Sequence, residues 1–131
     1  MKQKLSFSAL AVALSCAVPS FAGPGLADGA AKFIGNITQS GTAPGPNDQF
    51  TKLWNQATAE NGCKWGSVEG QRGKYNWGAC DAAYNWAKQN GGHFKFHALV
   101  WGSQYPSWLN GLSVDETKKA ITAWFDAVKQ H

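Results

Sequence analysis

Basic tracts, zinc-finger cysteine pairs and membrane-length apolar stretches are all missing from this 131-residue chain, and each absence removes a class of function. The formal net charge is +4, with 15% charged residues and no tract of lysine and arginine, so nucleic acid is not an expected partner. The longest apolar segment, Leu5 to Val18, falls short of the roughly 20 residues that a membrane-spanning helix needs, so no membrane partner is expected either. Neither Cys63 nor Cys80 is followed by a second ligand at zinc-finger spacing, and no metal or cofactor is expected. Internal repeats and low-complexity segments are absent.

What is present begins with MKQKLSFSALAVALSCAVPSFA, residues 1–22. Lys2 and Lys4 give a positive start, Leu5 to Val18 an apolar centre and Ser20-Phe21-Ala22 a small-x-small cleavage site, the pattern of an export signal. Cleavage near Ala22 leaves residues 23–131 and removes Lys2 and Lys4, lowering the formal charge from +4 to +2. The expected location is therefore secreted, extracellular or periplasmic. Cys16 falls inside the signal, and Ala13-Leu14-Ser15 before it matches poorly the Leu-led pattern of a lipoprotein acceptor. Cys63 and Cys80 remain as an even pair in an oxidising compartment, read as a disulfide candidate with two buried thiols as the alternative.

Seven tryptophans lie in the mature part. Each indole N–H needs an acceptor when buried, so a small core alone seldom holds this many, and some rings are expected to face something other than core.

Hydrophobic periodicity predicts a short strand over Lys32 to Thr38, then a helix capped by Asn47 or Asp48 and running through Phe50, Leu53, Trp54 and Ala57. A brief strand ending at Glu60 or Asn61 follows, then a long polar loop. A second helix starts near Asn76, carries Trp77, Cys80, Tyr84 and Ala87 on one stripe, and stops at Gly91-Gly92. His93 to Trp101 reads as the third strand. Ser113 with Glu116 forms a capping box for a last helix whose buried stripe is Ala120, Ile121, Trp124, Phe125 and Val128. The order βαβαβα is α/β class. The last helix reaches His131 with no fourth strand, and a three-stranded parallel sheet would keep two raw edges, so the chain is expected to be a fragment.

The strand period of two sets Lys95, His97, Leu99 and Trp101 on one face of the third strand, opposite Phe94, Phe96, Ala98 and Val100. Sites in parallel α/β folds form at the C-terminal strand ends, where Glu60, Asn61, Lys64 and Trp65 should meet His97 and Trp101. Carboxylate, amide, ammonium, imidazole and indole together can hydrogen-bond several hydroxyls while a ring stacks on a flat apolar face, as a sugar requires. Plainer readings stand beside this one. His97 could be a satisfied semi-buried histidine, Glu60 and Lys64 a surface ion pair, and Trp65, Trp77 and Trp86 packing residues. The Asn36-Ile37-Thr38 sequon lies in an expected strand and is discounted.

TAENGCKWGSVEGQRGKYNWGACDAAYNWAKQNG followed by HALVWGSQYPSWL resembles the second and third β/α units of family 10 glycoside hydrolases, the retaining endo-β-1,4-xylanases. The shared elements are Glu-Asn-x-x-Lys-Trp, a Glu heading a turn, an aromatic-Asn-x opening of the helix, Trp-Ala near its end, His-x-Leu-Val-Trp-x-Ser-Gln and Pro-Ser-Trp, spanning nearly all of Phe50 to Trp108. The resemblance implies the first three β/α units of a (β/α)8 TIM barrel, residues 23–131 being the N-terminal part of the catalytic domain. It further implies that Glu60, Asn61 and Lys64 bind the sugar two units from the cleaved bond on the non-reducing side, and that His97 and Trp101 hold the reacting sugar. Gln104 lies in the matched motif without an assigned contact, and Gly102 stands where the family more commonly has a histidine. The implied partner is β-1,4-xylan or xylo-oligosaccharides, met by a monomer when full-length.

A retaining glycosidase needs two carboxyl groups about 5–5.5 Å apart, and only Glu60 is placed at the expected rim. The acid/base and nucleophile glutamates are expected beyond His131, so no catalytic residue is assigned in this chain and the fragment alone is expected to be inactive. Two other readings remain: a non-catalytic secreted carbohydrate-binding protein, and a small disulfide-linked secreted protein without a sugar ligand.

Overall fold

The computed structural model describes residues 25–39, 43–44 and 49–131. The expected export signal and the expected caps Asn47 and Asp48 lie outside these residues.

Three short parallel strands, β1 (Gly35–Thr38), β2 (Gln56–Ala59) and β3 (His93–Lys95), form a sheet in the order β1-β2-β3. Gln56 sits in register with Gly35 on one side and His93 on the other. Just ahead of the ladder, Asn55 ties both neighbours: its N–H donates to the Ile34 carbonyl, its side-chain oxygen accepts from the Ile34 N–H, and its carbonyl accepts from the His93 N–H. Gly35 is required by close approach, because a Cβ there would lie 2.5 Å from the Gln56 carbonyl oxygen. Ala57 and Ala59, on one face of β2, are fully buried, Ala57 beside Trp86 and Ala87 and Ala59 beside Cys63, Cys80 and Ala83.

The helices differ from the periodic reading in instructive places. Helix α1 spans Gln49–Leu53 only, and Ala57, expected on its stripe, belongs to β2. Pairing of residues 55–59 with two neighbours outweighs a local helical period. The expected polar loop after β2 contains a short helix, α2 (Trp65–Val68), which buries Trp65 and Val68. Helix α3 (Gly78–Gln89) buries Cys80, Ala83, Trp86 and Ala87, whereas Tyr84 is 46% exposed. Trp86 takes the inner position because its indole N–H reaches Thr51 Oγ1 at 3.1 Å. The helix ends as its glycines suggest: Gly91 adopts φ +64°, and the Gly92 N–H returns to the Ala87 carbonyl, a Schellman closure.

Strand β3 stops at Lys95, short of the expected Trp101. Its partner β2 runs out at Ala59, and among the described residues no strand lies along its other edge. Residues past Lys95 therefore have no ladder to join, although Phe94 and Phe96 still pack into the core. Helix α4 (Val114–Gln130) opens with the expected capping box: Ser113 Oγ accepts from the Glu116 N–H and the Glu116 carboxylate accepts from the Ser113 N–H. Ala120 and Trp124 are buried and Ile121 and Val128 partly so, but Phe125 is 44% exposed.

Two features hold the core together. Cys63 and Cys80 are joined by a disulfide, Cα atoms 4.6 Å apart, and both are buried beside Ala59 and Ala83. Around Trp124, the rings of Trp65 (5.7 Å, 7°) and Trp77 (5.5 Å, 10°) stack, and Tyr75 lies against Trp77. Burial, followed by the nearby Glu69 charge, pushes the Tyr75 phenol above its ordinary range. The indole donors are matched: Trp65 Nε1 to Glu69 Oε2, Trp108 Nε1 to the Glu69 carbonyl, and Trp124 Nε1 to the Leu99 carbonyl.

Candidate functional site

The chain leaves β2 at Ala59 and enters α2 at Trp65, and the intervening turn closes through the Lys64 N–H to the Asn61 carbonyl at 3.1 Å. This places Glu60, Asn61 and Lys64 together at the C-terminal end of the central strand, the end at which parallel sheets build their sites. Lys64 is only 8% exposed. Its ammonium donates to Asn61 Oδ1 at 2.8 Å and to Gln104 Oε1, and Gln104 Nε2 donates to the same Asn61 oxygen at 2.9 Å. Among the described residues these two acceptors match two of the three ammonium N–H groups.

Glu60 is exposed and forms no ion pair with Lys64, whose ammonium is turned toward the two amides. The surface ion-pair reading therefore fails, and the Glu60 carboxylate stands at the rim as an acceptor. Trp65, grouped at this rim by sequence order, instead lies in the core, 3% exposed and stacked on Trp124. Once α2 forms, its first residue turns inward.

His97 and Trp101 lie on the segment that leaves β3. His97 is half-buried and Trp101 is 55% exposed. No hydrogen bond joins either to the Asn61-Lys64-Gln104 cluster among the described residues. Gly102 faces open space, with nothing within 4 Å of where a Cβ would stand.

Gln104 is the residue that reading the sequence left without a contact. Its position in the Trp-x-Ser-Gln element was the available signal; its pairing with residues 40 and 43 positions away depends on the fold. The pairing is fixed through the backbone as well. Gly66 N–H donates to the Gln104 carbonyl at 3.1 Å, a Cβ on Gly66 would lie 2.5 Å from that oxygen, and Gln104 itself holds φ +54°.

Glu69, the second carboxylate after β2, is not at the rim. It is 3% exposed, and its carboxylate accepts from Trp65 Nε1 at 2.6 Å and from the Gly73 N–H at 2.7 Å. Chemically, the cluster offers an amide pair and an ammonium, with the exposed Glu60 carboxylate beside it in sequence and an exposed indole on the segment that carries Gln104. That set orients hydroxyl-rich ligands and supplies no acid/base pair of its own.

Comparison with known proteins places the chain. The profile of glycosyl hydrolase family 10 matches residues 26–131. Endo-1,4-beta-xylanase B of Cellvibrio japonicus is 53% identical over 95 residues, covering 72% of this chain and 15% of that protein. Endo-1,4-beta-xylanase B of Neocallimastix patriciarum is 39% identical over 80 residues, 61% of this chain and 9% of that one. Among solved structures, a glycosylated family 10 endo-beta-1,4-xylanase from Gloeophyllum trabeum superposes with TM-score 0.61 at 25% identity, covering 63% of this chain and 26% of that chain. Xylanase 10B from Thermotoga petrophila, solved with xylobiose, gives TM-score 0.65 over 73% of this chain and 32% of that chain; at 22% identity it speaks to fold alone. The three parallel β/α units are those of a TIM barrel, and the chain spans less than a third of the length of the Cellvibrio and Neocallimastix relatives. With the profile covering nearly all of the described residues, the chain belongs to glycosyl hydrolase family 10.

Proposed function

We propose that the protein bearing this chain is a secreted, retaining endo-1,4-β-xylanase, and that this chain carries part of its glycone-side substrate cleft. Glu60, Asn61 and Lys64 bind the sugar two units from the cleaved bond, and His97 and Trp101 hold the sugar whose anomeric carbon reacts. The general acid/base and the nucleophile are glutamates beyond His131, acting by double displacement. Residues 1–22 direct export, and the full-length protein acts as a monomer on β-1,4-xylan without a cofactor.

The observation that carries this reading is the Asn61-Lys64-Gln104 hydrogen-bonded cluster at the end of β2, in a chain 53% identical to a protein named as an endo-1,4-beta-xylanase. Binding groups remote from the reacting bond can supply affinity for the substrate without taking part in bond cleavage, so the division between cleft and carboxylates is chemically sensible.

The test is release of xylo-oligosaccharides from β-1,4-xylan by the protein as its source secretes it, beside the 131-residue chain expressed alone. Hydrolysis by the former and none by the latter is expected. Hydrolysis by the isolated chain would overturn the assignment of the carboxylates. Xylan binding without hydrolysis by the secreted protein would make it a carbohydrate-binding protein instead.

A further inference from the structure

We propose that the Cys63–Cys80 disulfide is a positioning device for the sugar-binding turn, holding Asn61 and Lys64 in their binding geometry; this rests on the glycone-side reading of that turn. Gly62 and Cys63 are the two residues between Asn61 and Lys64, and both are buried. A Cβ on Gly62 would stand 2.8 Å from the Ala79 carbonyl oxygen, and Cys63 is bonded to Cys80. Two consecutive residues of the turn thus meet two consecutive residues of the first turn of α3, Gly62 by close approach to Ala79 and Cys63 by its bond to Cys80. That helix is itself fixed, since Cys80, Ala83, Trp86 and Ala87 are buried along it.

The other side of the turn is held differently. There Asn61 and Lys64 meet Gln104, an exposed residue on the segment after β3, through non-covalent bonds alone. The disulfide is the one covalent link between this turn and the core among the described residues. Without it, the amide and ammonium would have to be ordered at the moment of binding, and ordering is a direct cost in affinity.

The experiment uses the full-length secreted protein, comparing wild type with the Cys63→Ala/Cys80→Ala double variant. The KM for xylo-oligosaccharides is expected to rise about tenfold with kcat within about twofold, the pattern of lost ground-state binding. An unchanged KM accompanied only by a lower Tm would overturn the proposal, because a purely structural crosslink moves stability alone. Should the variant fail to fold, amide hydrogen exchange on the wild type before and after dithiothreitol decides. The reductant supplies two electrons and two protons to the disulfide, its own two thiols closing to a cyclic disulfide, and alkylation confirms the new thiols. Faster exchange at Asn61 to Trp65 is expected, and unchanged protection there in the reduced, folded protein would overturn the proposal. Absence of xylan hydrolysis by the wild type rejects the xylanase reading instead, a result separable from the exchange measurement.

Discussion

Burying an ammonium costs free energy unless its N–H groups find acceptors, and Lys64 finds them in two amide side chains. Asn61→Ala removes one acceptor of Lys64 and the acceptor of Gln104 Nε2 together. A loss of about 1–3 kcal/mol is expected in denaturant unfolding of the full-length protein; no change in midpoint would mean that the cluster relaxes without penalty. Glu69 holds two donors, the buried Trp65 Nε1 and the N–H of the exposed Gly73. Glu69→Ala should cost about 3 kcal/mol, and Glu69→Gln distinctly less, since its remaining carbonyl oxygen can keep one of the two donors. Equal costs would show that packing rather than hydrogen bonding sets the residue. The residue types of the candidate site were legible in the sequence through their motif, and Asn61 and Lys64 do stand together. The role of Glu69 was not, because its donors at Trp65 and Gly73 meet it only after α2 and the following turn have formed.

At the scale of elements, α4 carries a titratable start. Glu116 is held below its ordinary value of 4.5, first by the hydrogen bond with the Ser113 side chain and then by that with the Ser113 backbone. A depressed carboxyl contributes stability above its unfolded value and loses it as pH falls through the folded one. The first turn of α4 should therefore loosen on acidification below about pH 4.5, seen as faster amide exchange at Val114 to Thr117. Glu116→Gln should flatten that dependence, and an identical pH profile in both proteins would contradict the capping account. Gly66 sets a second element-scale constraint, since a methyl there meets the Gln104 backbone oxygen, which cannot rotate aside. Gly66→Ala should separate α2 from the segment after β3, costing about 1–3 kcal/mol together with xylo-oligosaccharide affinity; wild-type affinity would argue against it. The capping box came through from sequence because its partners are three residues apart. The length of β3 did not, because a strand extends only as far as its neighbour does, and β2 ends at Ala59.

For the molecule as a whole, the alternation of strands and helices was readable because each element has its own period, and the sheet order β1-β2-β3 follows it directly. The stacking of Trp65, Trp77 and Trp124 was not, since rings from three separate helical regions meet only in the folded chain. Trp124, fully buried at the centre of that stack, joins α4 to the rest, and Trp124→Ala should cost about 3–5 kcal/mol in unfolding. Whether the turn after β2 is a sugar-binding element is decided by the kcat/KM of the full-length secreted protein on β-1,4-xylan, wild type against Lys64→Ala. Hydrolysis by the wild type and a fall of about 100-fold in the variant, with the fold retained, are expected. A wild type without xylan hydrolysis, or a Lys64→Ala variant as active as wild type, would contradict that role.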